Sequence, residues 1–322
     1  MISVVRSRAI RLLKVAGLVG MVAALSTGCS VSQAFSLGWP QGITAQADRM
    51  REFWVWSVVA ALVIGAIVAV LIMWTVTFHR KKSDKMPRQF QYNVPLEIIY
   101  TVIPFVIVCV LFYFTVTTQD FVDAKVNKPD LRVGVVAFQW NWDFQYLQNK
   151  PDMNGVYHVR LAQDGEPVVT VGSTTTIPLL VVPTNRVVEY HLRSRDVVHS
   201  FYIPDFLFKR DVFPDPEKND TDNVFQTTIQ RPGAFVGHCA ELCGTYHSMM
   251  NFELRALPPD LFDRYLALRS ATNPQTNRAY TAGEALTTLN CGPLCAPKAV
   301  TTFPYSGTGR TVRAARQTQG SP

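Results

Sequence analysis

The sequence predicts a membrane α-helical hairpin of two transmembrane helices, followed by an all-β Greek-key domain on the far side of the membrane. Three observations lead there. Two apolar runs, residues 53–78 and 96–117, are each long enough to cross a hydrocarbon core of ~30 Å at ~1.5 Å per residue. Between them Arg80, Lys81, Lys82, Lys85 and Arg88 form a basic turn, which the positive-inside rule places in the cytoplasm, so both outer flanks are external. After the second run come about seven short β-prone segments bounded by turn residues, the pattern of a sandwich or barrel.

Residues 1–28 read as an export signal. Arg6, Arg8, Arg11 and Lys14 form a basic start, and residues 15–25 form a short apolar stretch. Leu25-Ser26-Thr27-Gly28-Cys29 is similar to a bacterial lipobox, with Ser26 where a Leu is usual and Leu25 one position early. Either Cys29 is lipidated and begins the mature chain, or the segment is an uncleaved signal anchor and Cys29 is an ordinary side chain. Residues 29–52 form an exported segment, and residues 53–118 hold the hairpin. Trp54, Trp56 and Trp74 sit near the ends of the first span, where aromatic belts form. Signal and hairpin agree on topology: a multi-pass protein of a bacterial cell membrane with its C-terminal domain on the outer face.

The net charge of +7 does not point to nucleic acid. The basic residues concentrate in the signal and the cytoplasmic turn, whereas residues 119–270 hold 15 basic and 19 acidic side chains. A mildly acidic exported surface favours basic partners. Within it, segments 132–138, 176–182, 186–192, 224–229 and 234–238 read as strands. Val188, Tyr190 and Leu192 alternate with polar residues, as a half-buried strand requires. Residues 260–268 have helical spacing, with Leu261, Phe262, Tyr265 and Leu266 on one face. Residues 271–322 are basic and rich in Thr, Gly and Pro, and are expected to be weakly ordered.

The chemistry concentrates in Cys239-Ala240-Glu241-Leu242-Cys243-Gly244-Thr245-Tyr246-His247-Ser248-Met249-Met250, with His199 upstream. Thiolate, imidazole and thioether together suit copper rather than magnesium or calcium. One Cys, two His and a Met would make a mononuclear blue-copper site, and the extra thiolate is what a second copper ion needs. Of the other four cysteines among six, Cys29 falls in the lipobox and Cys109 in the second span. Cys291 and Cys295 form either a local disulfide, favoured by an oxidising compartment, or a second metal site. His79, His158, His191 and His238 fall outside the ligand pattern.

The motif C-x-E-x-C-G-x-x-H-x-x-M, preceded by the step His199-Ser200-Phe201, resembles the binuclear copper A centre of cytochrome c oxidase subunit II. The resemblance covers residues 51–268 and implies a cupredoxin-like barrel with its metal on loops at one end. It implies that Cys239 and Cys243 bridge two copper ions, each also held by His199 or His247. Met250 would be the weak thioether ligand and Glu241 would lend its backbone carbonyl. The Glu241 carboxylate would help hold a magnesium ion shared with subunit I; a solvated acid is the plain alternative.

The segment from Phe138 to Tyr146 alternates aromatics at period two, which packing alone explains for Trp142, Phe144 and Tyr146. The resemblance makes Trp140 the point where electrons arrive. Glu97 opens an E-x-x-aromatic-T-x-x-P step, with Tyr100 where the family has Trp. There the acid lies at the mouth of a proton path, and interfacial snorkelling is the alternative. Implied partners are subunits I and III, cytochrome c or a membrane-bound c-type cytochrome, and membrane lipid. Residues 209–223 depart from the family in length and acidity, carrying Asp211, Asp215, Glu217, Asp220 and Asp222, and are expected to alter the rim where the donor docks. A copper chaperone for oxidase assembly, which also has C-x-x-x-C, is the competing reading. Such chaperones lack the Gly-x-x-His-x-x-Met continuation.

Overall fold

The computed structural model describes residues 39, 41–81, 83–84, 86, 89–173 and 175–298. The signal segment, Cys29 and the end of the tail lie outside them, as do Lys82, Lys85 and Arg88 of the basic turn. Helix α1 runs Ala45–Phe78 and helix α2 runs Val94–Asp123. Their side chains, Leu71, Ile72, Phe105 and Phe112 among them, point outward and are exposed, as lipid-facing residues must be. The 34 residues of α1 reach about 51 Å at 1.5 Å per residue, well beyond a ~30 Å core.

The surplus of α1 belongs to the exported domain. Its start at Ala45 precedes the apolar run because Thr44 caps it, accepting from the Ala47 N–H at 3.1 Å. Ile43 and Ala47 are fully buried. The Ile43 N–H donates to the Asp205 carbonyl at 3.1 Å, and its carbonyl accepts from the Gln230 N–H at 2.8 Å. Gly42 permits this close turn, since a Cβ there would lie 2.4 Å from the Ala47 Cβ. The hairpin is therefore fastened to the exported domain before the first span as well as after the second.

Two five-stranded sheets form the exported barrel. The first contains β1 Leu131–Phe138, β2 Asn141–Tyr146, β3 Val169–Val171, β5 Val187–Ser194 and β8 Val224–Thr228, in the order β3-β2-β1-β5-β8. The second contains β4 Leu179–Pro183, β6 His199–Ile203, β7 Phe208–Val212, β9 Gly233–Cys239 and β10 Asn251–Leu257, in the order β4-β10-β9-β6-β7. Parallel pairings β1 with β5 and β4 with β10, among otherwise antiparallel neighbours, give the Greek-key crossover. Trp142, Phe144, Tyr190, Phe201, Phe225, Phe235 and Phe252 fill the space between the sheets.

The expected strand segments all fall on strands, but the sheets hold more of them. Strand β10 escapes an alternation test because every one of its residues is buried, including Glu253 and Arg255. These two charges are tolerated because they pair with each other, through both Nε and Nη2 of the arginine.

The expectation of a weakly ordered tail is corrected for residues 271–298. After helix α3, Pro259–Ser270, come the paired strands β11 Thr272–Asn273 and β12 Arg278–Ala279, then helix α4, Ala282–Leu289. Thr281 and Glu284 form a reciprocal capping box on α4. Cys291 and Cys295 are joined in a disulfide. Arg255 then reaches out of the barrel to donate to the carbonyls of Leu294 at 3.1 Å and Ala296 at 2.7 Å. Order here comes from local caps, the disulfide and one buried arginine, none of which composition reports.

Candidate metal centre

Strand β6 begins at His199 and strand β9 ends at Cys239, and the two are neighbours through the pair Phe201–Cys239. The chain then loops through Cys243 and a short 3-10 turn, His247–Met249, before returning as β10. The candidate ligands thus sit at strand ends and on the loop they bracket, at one end of the barrel. His199, Cys239, Cys243 and Met250 are buried, and His247 is half-buried. Met249 is 51% exposed whereas Met250 is fully buried, which makes Met250 the inward thioether.

The donor atoms converge. The two sulfurs lie 3.9 Å apart, and the ligating atoms of His199, Cys239 and Cys243 all fall within 4.8 Å of one another. Cys239 Sγ faces His199 Nδ1 at 3.8 Å and the Glu241 carbonyl oxygen at 3.1 Å. Cys243 Sγ faces His247 Nδ1 at 3.5 Å and Met250 Sδ at 3.9 Å. Each thiol therefore has one imidazole nitrogen and one weaker donor. Burial, and next the neighbouring Cys239 sulfur, push the Cys243 thiol up to about 12, so a bound cation must displace its proton. A dry, soft, two-sulfur donor set fits copper.

Around the donors lies a second set of contacts. His199 turns Nε2 to Asp196 Oδ1 at 2.8 Å, and donating that proton leaves Nδ1 its lone pair. Burial works to raise the Asp196 carboxyl. Its bonds from His199 and from the Gln139 and Val197 N–H groups outweigh that and hold it below the usual range. The Trp142 indole donates to the Met250 carbonyl at 3.3 Å, so a residue read as packing also holds the thioether's backbone. Trp140 Nε1 and Gln139 Nε2 both donate to the Cys243 carbonyl, at 3.0 and 2.8 Å. Gly244 follows with φ +119°, and a Cβ there would approach the Trp140 ring at 3.2 Å. Trp140 packs edge-on against Tyr246, with ring centroids 5.0 Å apart. The motif pattern missed Asp196 and Gln139; the usable signal was a carboxylate three residues before a candidate histidine ligand.

The remaining candidates lie elsewhere. The Glu241 carboxylate lies 3.4 Å from Lys209 Nζ, which also holds Asp211 at 3.1 Å. Glu97 sits in the first turn of α2, where its carboxylate accepts from the Asn93 N–H at 2.8 Å. The acidic stretch is placed by cations near the membrane: Asp222 pairs with Lys125 at 2.7 Å, and Arg210 binds Asp123 at 2.5 Å. Asp222, Arg210 and Asp123, together with Thr115, Thr118 and Phe53, line a groove of about 550 Å³ at the outer ends of the helices.

A barrel with a buried thiol, imidazole and thioether cluster at one end, on a two-helix hairpin, defines a membrane-anchored copper protein of cupredoxin-like fold. Residues 32–117 match the family of the cytochrome c oxidase subunit II transmembrane domain, and residues 131–257 match that of its periplasmic domain. The chain belongs to the cytochrome c oxidase subunit II family, and is a membrane-bound subunit of that oxidase with its β domain on the outer face. It is 46% identical over 359 residues to the probable cytochrome c oxidase subunit 2 of Nocardia farcinica, covering 97% of this chain and 92% of that one. It is 42% identical over 337 residues to cytochrome c oxidase subunit 2 of Mycobacterium bovis, covering 93% and 90%. Among solved structures, the periplasmic domain of subunit II of cytochrome oxidase from Bradyrhizobium japonicum is 30% identical, covering 44% of this chain and 94% of that one, with a TM-score of 0.32.

Proposed function

We propose that the exported domain holds a binuclear copper A centre, receives single electrons from a c-type cytochrome and hands them to haem in subunit I, where oxygen is reduced to water with proton pumping. The observation that carries this reading is the pairing of two buried sulfurs 3.9 Å apart, each with its own imidazole. Cys239 and Cys243 would bridge, His199 and His247 would each complete one side, and Met250 and the Glu241 carbonyl would be the weak donors. When bound, the copper pair supplies one-electron redox chemistry with its charge spread over both metals and both sulfurs, which keeps bond-length changes small. The residues around it exclude water and fix the donors, so that little rearrangement accompanies transfer.

Trp140 is the point of arrival, because its indole is partly exposed and bonded directly to a ligand's peptide. The Glu241 carboxylate offers a hard oxygen, suited to a magnesium ion shared with subunit I. Glu97 stands at the mouth of the proton path, and Cys29 carries the lipid. Subunit III and membrane lipid complete the surroundings. Purification of the oxidase separates this reading from a copper chaperone. A subunit is recovered in equal amount with subunit I, whereas a chaperone is absent from the mature complex. The intact mass of the recovered chain reports whether it begins at a lipidated Cys29.

A further inference from the structure

We infer that Asp196, with Gln139, is a positioning bracket that ties the His199 arm of the metal site to the Cys243 arm and to Trp140, an inference that rests on the function proposed above. Asp196 lies on the turn between β5 and β6, where a rim acid would ordinarily serve to attract a basic donor. Its oxygens are already committed. Oδ1 receives His199 Nε2 at 2.8 Å and the Val197 N–H at 2.7 Å, while Oδ2 receives the Gln139 N–H at 2.7 Å. The Ser194 hydroxyl donates to the Val197 carbonyl at 2.5 Å and accepts from the Asp196 N–H at 3.1 Å, which fixes the turn itself. From Gln139 the connection continues through Nε2 to the Cys243 carbonyl at 2.8 Å, where Trp140 Nε1 arrives from the other side at 3.0 Å.

A carboxylate is required at position 196 because both of its oxygens accept, and both partners are donors. An asparagine has the same shape and only one accepting oxygen, so it must release either His199 or the Gln139 peptide and turn an NH₂ against the other. Partners of this kind orient a ligating imidazole and tune its basicity, and losing them costs on the order of 10-fold or more in affinity or activity. Freed from Asp196, His199 would rotate, and the 139–140 peptide would lose its alignment with the ligand loop.

The test uses the assembled oxidase carrying Asp196→Asn, Gln139→Leu or Trp140→Phe, with copper EPR, the copper reduction potential, and kcat and KM for a basic cytochrome across ionic strength. Asp196→Asn is expected to shift the EPR spectrum and potential and to lower kcat roughly 10-fold, with KM and its salt slope as in the wild type. A raised KM with a flattened salt slope and an unchanged spectrum would mean a steering charge and overturn the inference. If Asp196→Asn does not assemble, Gln139→Leu decides, since it leaves every charge in place. Lowered kcat at constant KM supports the bracket, and wild-type kcat overturns it. Trp140→Phe tests the underlying reading separately. Wild-type transfer there removes Trp140 as the point of arrival, while the spectrum and potential of Asp196→Asn still judge the bond to His199.

Discussion

The indole nitrogen of Trp140 donates to the carbonyl oxygen of Cys243 at 3.0 Å, so a partly exposed aromatic ring is bonded to the peptide of a candidate metal ligand. This contact crosses from the first sheet to the metal loop, between residues far apart in sequence. It fixes the ring against the loop, and under the function proposed above it would give an arriving electron a short bonded route inward.

Trp140→Phe removes that donor and keeps an aromatic ring. Transfer from donor to copper is expected to slow on the order of 10-fold, measured by rapid mixing, while the copper EPR spectrum and the donor's affinity stay as in the wild type.

Gly237 faces Phe252 across β9 and β10, and a Cβ there would lie 2.1 Å from the phenyl ring. Phe252 in turn stacks on Phe201 at 4.8 Å and meets Trp142 at 5.2 Å, and Trp142 lies 6.4 Å from the ring of the candidate ligand His199. Gly237→Ala must push this ring stack, and is expected to destabilise by about 1–3 kcal/mol, read from denaturant unfolding. The copper spectrum should broaden, since Phe201 follows His199 in the chain by only Ser200.

Much of this arrangement was legible in the sequence because all the candidate donors but His199 lie in one contiguous loop with fixed spacing, and because the two spans obey length and charge rules. The barrel's extra strands were not, since β3 is three residues long and β10 is buried on both faces. The start of α1 was hidden because Ile43, just before its first turn, is held by bonds to Asp205 and Gln230, distant in sequence. The roles of Asp196 and Gln139 depend on which backbone groups face them, and residue spacing carries no record of that. The acidic stretch looked like a docking rim, but Lys125 and Arg210 draw Asp222 toward the membrane helices.

Arg255 and Glu253 form a buried pair, with 0% and 2% of their side chains exposed. Arg255→Met strands the Glu253 charge and releases the Leu294 and Ala296 carbonyls. The expected loss is about 3–5 kcal/mol in unfolding experiments, with faster proteolysis after residue 271. Adding Glu253→Leu should restore much of the stability, because an apolar pair needs no partner, while the proteolysis persists.

Acid should weaken the exported domain through Glu189. Burial pushes its carboxyl up, but bonds from Gln226 and His191 and the charges of His191 and Arg132 hold it below the usual range. A depressed acid contributes stability that is present above the unfolded pKa of ~4.3 and is lost as pH falls through the lower folded value. The Tm of the full chain in detergent should therefore drop as pH falls below about 4.3, and Glu189→Gln should flatten that drop while lowering Tm at neutral pH.

Copper analysis combined with EPR of the purified full-length chain bears most directly on the two-sulfur site. Two coppers per chain, with a hyperfine pattern showing one unpaired electron shared by two copper nuclei, is the predicted result, and Cys239→Ser or Cys243→Ser should abolish it. One copper per chain with the pattern of a single nucleus would contradict the binuclear centre.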